Sequence, residues 1–226
     1  MALAIFDLDN TLLAGDSDYL WGQFLVEQGL VDAAEYEAAN NRFYQDYLNG
    51  TLDNDAYLAF ALAPLARHEP DLLRAWRSRF IAEKIHPVLL PAAKALINEH
   101  RRRGDTPMII TATNRFVTEP IAELLGIEHL LATEPEMLDG RYTGRPTGIP
   151  TFREGKIRAL ERWLEQHQQN LQGSWFYSDS HNDIPLLGYV EHPVAVDPDP
   201  KLRAYAEARG WPVISLREAA AHGEHG

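Results

Sequence analysis

The run Leu3-Ala4-Ile5-Phe6-Asp7-Leu8-Asp9-Asn10-Thr11 decides the fold. Its apolar part, Leu3 to Leu8, reads as a short buried strand that ends in acid. Asp7 and Asp9 stand two residues apart, so in extended chain they lie on one side. Working outward, the pattern from Thr106 alternates between strand and helix. Strands are expected at Pro107–Thr111, His129–Thr133, Ser174–Tyr177, Pro193–Val196 and Pro212–Ile214. Helices are expected at Phe116–Leu125, Thr151–His167, from Ile184 for a short stretch, and at Pro200–Arg209. Met137 to Tyr142 reads as a hairpin on its Asp139-Gly140 turn. Alternation of this kind implies an α/β fold, a Rossmann-like parallel sheet core with helices on both faces. Such sheets bind ligands outside the carboxyl ends of their strands.

Between the first strand and this alternating region the periodicity is helical. Asp16 or Ser17 can cap a helix over about 18–29, Asp32 one over 33–48, and Asp53 one over 54–66. Pro70 suits the first turn of another, over about 70–84. Residues 15–84 therefore read as an inserted helical cap, and residues 1–14 and 85–226 as the core. Pro87 opens a helix to Arg103, closed by Gly104. The basic run Arg101-Arg102-Arg103 falls in its last turn, where cations suit the helix dipole.

Composition narrows the function. The 226 residues carry 21 Lys plus Arg against 33 Asp plus Glu, a net charge of −12. That balance disfavours nucleic-acid and anionic-membrane partners, which need basic patches. The chain has no cysteine, which excludes disulfides, thiolate zinc sites, iron–sulfur clusters and a Cys nucleophile. No apolar run is long enough to span a membrane, and the start lacks the basic flank of a secretory signal, so the expected compartment is the cytoplasm. The oligomeric state stays open. His222 and His225 belong to a small, polar C-terminal tail that is expected to fray.

Three strand ends carry distinctive polar residues: Asp7-Leu8-Asp9-Asn10-Thr11, then Thr111-Ala112-Thr113-Asn114, then Asp179-Ser180-His181-Asn182-Asp183. A like-charged pair about 4 Å apart costs roughly 4 kcal/mol at an effective dielectric near 20. Carboxylates converging on one sheet edge therefore imply a hard divalent cation or raised pKa values. All-oxygen donors favour magnesium over zinc.

Asp7-Leu8-Asp9-Asn10-Thr11 resembles the first motif of the haloacid dehalogenase superfamily, Asp-x-Asp-x-Thr/Val after a strand. Thr111, Lys156 and the Asp179–Asp183 stretch resemble its second, third and fourth motifs, in the family's order. The resemblance implies a phosphatase whose nucleophile is Asp7 and whose general acid and base is Asp9. It gives the phosphoryl group to Thr111, Ala112, Lys156 and Asn182. It assigns Mg²⁺ to Asp7, Asp179 and Asp9 (the last through its backbone carbonyl), with Asp183 supporting the metal's waters. Two departures stand out. Ser178 and Ser180 replace glycines usual in the fourth motif, and Ala112-Thr113 replaces the Gly-Gly of phosphoserine phosphatases. The wider motif context resembles a bacterial branch, close to phosphoserine phosphatases, that includes histidinol-phosphate phosphatases. The implied partner is a small phosphomonoester. Asp16, Ser17 and Asp18 lie where a hinge could present acid to a cationic substrate group, and Asn114 and Arg115 where they could reach the phosphate or the cap. Of the aromatic residues Trp21, Phe24, Phe43, Tyr44, Tyr47, Tyr57, Phe60 and Trp76, most are expected in the cap's own core and one or two in the pocket. His181 is expected as an exposed turn residue. A phosphoserine phosphatase, a phosphomutase and a phospho-accepting signalling module remain alternatives.

Overall fold

The computed structural model describes residues 2–217. Its sheet has seven strands in the order β4-β3-β2-β1-β5-β6-β7. They are β1 (Leu3–Phe6), β2 (Thr106–Asn114), β3 (His129–Leu138), β4 (Arg141–Thr147), β5 (Trp175–Ser178), β6 (His192–Val196) and β7 (Val213–Ile214). Only the β3–β4 pair is antiparallel; every other neighbouring pair is parallel. β1 lies between β2 and β5, so the chain builds one half of the sheet and then returns past β1 to build the other. That reversal opens a crevice at the carboxyl end of β1, where Asp7 follows directly.

Period-two alternation explains why β1 is apolar throughout. Ala4 and Phe6 enter one buried cluster, with Trp21, Phe80, Ile97 and Phe116; Leu3 and Ile5 enter the other, with Leu160, Phe176 and Leu202. A strand covered on both faces has no polar side to show. The helices packing on the sheet are α5 (Pro91–Arg103), α6 (Arg115–Leu124), α7 (Glu154–His167), α8 (Ile184–Leu187) and α9 (Pro200–Arg209). α5 ends at Gly104 with φ +83°. Of the arginines in its last turn, Arg101 donates to the carbonyls of Leu125 and Gly126 and Arg103 pairs with Glu99, so the run serves structure as expected.

Between β1 and β2 lie α1 (Ser17–Glu27), α2 (Ala33–Asn49), α3 (Asn54–Ala66) and α4 (Pro70–Phe80). Asp16, Asp32 and Asp53 cap the first three through their side chains. The two crossings into this insertion run side by side: Ala14 donates its N–H to the Val88 carbonyl at 2.7 Å, and Leu13 bridges Leu89 antiparallel.

Several boundaries differ from expectation, among them β3, which runs on to Leu138 rather than ending at Thr133. The helix from Pro70 stops at Phe80 and continues as a π turn, Ile81–Ile85. Pro87 lies in a 3₁₀ turn, and Pro91 starts α5. β2 runs on to Asn114, with its pairing to β3 irregular between Ile110 and Asn114. α7 begins at Glu154, because Thr151 is held beneath the sheet edge: its hydroxyl donates to the Thr111 carbonyl at 2.5 Å, and its N–H to the Thr133 hydroxyl at 3.2 Å.

The tight turn into α7 fixes where Lys156 emerges. A Cβ on Gly155 would sit 2.0 Å from the Pro150 carbonyl oxygen, closer than any packing tolerates. Gly155→Ala should therefore lower the unfolding free energy by about 2–3 kcal/mol in urea denaturation. Stability equal to that of the parent would show that the turn relaxes freely.

Candidate active site

The centre of the site is a buried cation between two acids. Lys156 Nζ donates to Asp7 Oδ1 and Asp183 Oδ2, each at 2.8 Å, and all three residues are less than 5% exposed. Burial alone would lower the Lys156 pKa; Asp183 and Asp7 outweigh it and raise the pKa, so the ammonium stays charged. Asp183 also accepts from the Ser178 hydroxyl at 2.7 Å, which fixes its carboxylate. Asp7 receives one further restraint, its N–H donating to the Tyr177 carbonyl at 2.9 Å.

Thr11 ties the first strand end to the third. Its hydroxyl donates to Asp179 Oδ1 at 3.1 Å and accepts from the Asp179 N–H at 3.0 Å. Asp9 is held by the Ser17 N–H at 2.6 Å and the Thr113 hydroxyl at 2.8 Å, with Thr111 more distant at 3.5 Å. The irregular pairing of β2 frees this stretch from a regular ladder, and Thr111, Ala112 and Thr113 all line the pocket.

Negative charge dominates the cavity. Asp7, Asp9, Asp16, Asp18 and Asp183 line it, and Lys156 is the one Lys or Arg among its lining residues. Burial raises the pKa of Asp7 to about 7 and of Asp9 to about 7; Lys156 opposes the rise at Asp7, and Asp16 adds to it at Asp9. Asp179 is pushed well above the usual carboxylate range by burial, then by Asp7 and Asp183. The donor chemistry fits a hard cation. Asp7 Oδ2 accepts no hydrogen bond from the described residues, and Asp179, near enough to Asp7 for the two charges to act on each other, pairs with no Lys, Arg or His among the described residues. Among the described residues no three acidic or histidine side chains form a ready cage. Mg²⁺ suits that arrangement, because it commonly takes one or two carboxylates and keeps several waters. Asp183 is engaged by Lys156 and Ser178.

Several expected roles change. Asn114 does not reach the cavity: it caps α6, accepting from the Val117 N–H. Arg115 also misses it, because the guanidinium pairs with Glu134 at 2.6 Å and donates to the Leu130 carbonyl at 2.8 Å. Asn182 lines the pocket, but its amide is committed, accepting from Arg153 and donating weakly to the Tyr47 carbonyl and the Ser180 hydroxyl. His181 is half-buried, with Nδ1 2.8 Å from Asp199 Oδ2. Neither serine of the fourth motif needs a glycine conformation: no positive φ occurs at Ser178 or Ser180, and their hydroxyls accept from the Ser180 and Asn182 N–H groups.

Asp16 and Asp18 do line the pocket, and Asp16 lies near enough to Asp9 to raise its pKa. Asp16 accepts from the Tyr19 N–H at 2.8 Å, and Asp18 accepts from the Tyr57 hydroxyl. Burial raises each to about 6. Four of the eight aromatic residues expected in the cap, Phe43, Tyr44, Tyr47 and Tyr57, line the cavity, joined by Tyr19 and Phe152. That is more than expected, because α2 and α3 turn one aromatic face towards the sheet. Trp21 stacks on Phe24 instead, and Phe80 meets both rings edge-on. Sequence reasoning misses the side-chain roles of Thr11, Thr113, Ser178 and Arg153. Thr113 carried a signal, since it repeats the hydroxyl of Thr111 two residues on, on the same side of the strand.

A family model for haloacid dehalogenase-like hydrolases matches residues 4–188. The chain belongs to that family. It is 48% identical over 219 residues to a protein named histidinol-phosphatase from Neisseria meningitidis serogroup C, covering 95% of this chain and 99% of the relative. It is 32% identical to a phosphoserine phosphatase of Mycobacterium tuberculosis, over 96% of this chain and 72% of that protein. A crystal structure of a protein of unknown function from Bordetella pertussis Tohama I superposes with a TM-score of 0.90 at 46% identity, covering 95% and 98% of the two chains.

A carboxylate whose folded pKa lies above its unfolded value holds extra protons when folded, so stability falls as pH rises between the two values. Asp7, Asp9, Asp16 and Asp18 start from 3.8 and rise to about 6 or 7. Without divalent cations, stability in chemical denaturation should fall from about pH 4 to about pH 7. The double variant Asp16→Asn/Asp18→Asn should show a shallower fall. An unchanged slope would mean that these two carboxylates titrate normally.

Proposed function

We propose that this chain is a Mg²⁺-dependent phosphomonoesterase acting through an aspartyl-phosphate, with histidinol phosphate as its substrate. The observation that carries the reaction type is the Lys156 ammonium fixed between Asp7 and Asp183, beside a second acid, Asp9. Asp7 is the nucleophile: its carboxylate forms a bond to phosphorus as the ester oxygen leaves. Asp9 gives that oxygen a proton, then takes one from the water that attacks phosphorus and releases Asp7. A pKa raised to about 7 by burial suits Asp9 to both steps near neutral pH. Lys156 and Thr111, with the Ala112 backbone, bind phosphoryl oxygens. Mg²⁺, held by Asp7, Asp179 and the Asp9 carbonyl with Asp183 behind its waters, would supply the positive charge that lets an anionic nucleophile meet an anionic ester.

Helices α1–α4 act as the cap, excluding water and selecting the leaving group. The reading of the leaving group rests on the acids and rings that α1–α3 bring to the cavity. Asp16 and Asp18 line it together with Tyr19, Phe43, Tyr44 and Tyr57, and Lys156 is the one Lys or Arg among the described lining residues. Acid for an amine and aromatic faces for an imidazole suit histidinol phosphate. The Neisseria relative, similar over nearly its whole length, supports the same choice. Phosphoserine stays as the second reading on the strength of the mycobacterial relative. Its carboxylate would meet Asp16 and Asp18 unfavourably. A cytoplasmic setting goes with either metabolite.

Phosphate release from histidinol phosphate, phosphoserine and p-nitrophenyl phosphate, with and without Mg²⁺, tests the assignment directly. Histidinol phosphate should give the highest kcat/KM, and no turnover of any ester would remove the reading. Asp7→Asn should cut kcat by roughly 10³-fold or more. Asp9→Asn should leave phosphate trapped on the protein after acid quenching; rapid steady-state release in that variant would contradict its acid–base role. Replacing Asp16 and Asp18 by Asn should cost histidinol phosphate about tenfold more in kcat/KM than p-nitrophenyl phosphate. Equal losses would end the argument for a cationic leaving group.

A further inference from the structure

The C-terminal end of α2 rests on the core, and the core supplies partners for its last carbonyls. A helix leaves its final carbonyls without partners inside the helix. Here Gly50, at φ +76°, turns its N–H back to the Tyr47 carbonyl, and Thr51 does the same to Asp46. Three donors from separate core segments take the exposed oxygens. Arg153 Nη2 donates to the Gly50 carbonyl at 2.6 Å, Lys201 Nζ to the Asn49 carbonyl at 3.0 Å, and Asn182 Nδ2 to the Tyr47 carbonyl at 3.4 Å. Two of the three carry positive charge, which suits the negative end of a helix.

The core half of this contact is braced. Arg153 Nε also donates to Asn182 Oδ1 at 3.1 Å, and Arg153 adopts φ +50°, a conformation unfavourable for a residue with a Cβ. Asp199 holds His181 and caps α9, the helix that presents Lys201. His181 Nε2 then sits 2.9 Å from where a Cβ on Gly50 would lie. On the side of α2, the Tyr47 hydroxyl donates to Ser180 Oγ at 3.1 Å while its ring lines the reaction cavity.

We infer that Arg153 is a positioning residue: with Lys201 it clasps the end of α2 and so seats Tyr47 over the reaction pocket. This rests on the reading of α1–α4 as a cap, and its consequence falls on substrate capture. No side-chain hydrogen bond joins Arg153 or Lys201 to Asp7, Asp9 or Lys156; Lys156 meets Arg153 only through its backbone N–H, which donates to the Arg153 carbonyl at 3.0 Å and does not depend on the arginine side chain. Loosening it shifts the cap towards a conformation that binds ester less tightly, while the bound ester reacts as before.

The test uses Arg153→Met, Arg153→Lys and Lys201→Met. In hydrogen exchange on the protein alone, amides in residues 44–52 should exchange roughly tenfold faster in Arg153→Met than in the parent, and those of the sheet should not change. KM for p-nitrophenyl phosphate should rise about threefold or more with kcat within about twofold. Arg153→Lys, able to reach one carbonyl but not also Asn182, should recover part of both losses. Should Arg153→Met fail to fold, Lys201→Met on the exposed first turn of α9 carries the same two readouts with smaller changes. Unchanged exchange in residues 44–52 would overturn the inference. So would equal falls in kcat with no recovery by lysine. Exchange needs no substrate, so its outcome stands apart from that of the Asp7→Asn assay.

Discussion

One buried ammonium sets the terms for the whole site. Lys156 stands between Asp7 and Asp183 with almost no access to water. Removing one partner of such a group leaves an uncompensated interior charge, at a cost of about 3–5 kcal/mol. The arrangement is therefore strongly constrained from three directions. β1 must deliver Asp7, the loop after β5 must return Asp183, and the close turn at Gly155 must aim Lys156 inward. The switch in strand order places all three at the same crevice.

Charge then organises what surrounds it. A single lysine cannot balance the acids of the site; burial first, and neighbouring carboxylates second, hold their carboxyl groups above the usual range. On the proposed function, the same acidic lining would suit both a divalent cation and a positively charged leaving group.

Much of this was legible in the chain because the governing signals are local. The apolar run before Asp7, the alternation after Thr106 and the aspartates at helix starts each report on their immediate surroundings. The resemblance and the order of the motifs bring Lys156 and Asp7 to one site, but no local signal pairs them, since 149 residues separate the two. What stayed hidden depends on tertiary choices between equally polar partners. Asn114 closes β2 and Arg115 opens α6, yet one caps that helix and the other turns to Glu134. Thr151 looked like the start of a helix until the sheet edge claimed its hydroxyl. Ser178 and Ser180 departed from the family's glycines, and the backbone shows why they are tolerated: neither position requires a left-handed conformation.

The antiparallel neck at Leu13 and Leu89 has an evolutionary corollary. Both strands of the neck enter and leave at one point beside the sheet, so the intervening segment resembles a cassette plugged into a socket. Exchange of that cassette leaves strand connectivity intact. Descendants of one ancestor could thus diversify in which alcohol they release while inheriting an unaltered phosphoryl-transfer engine.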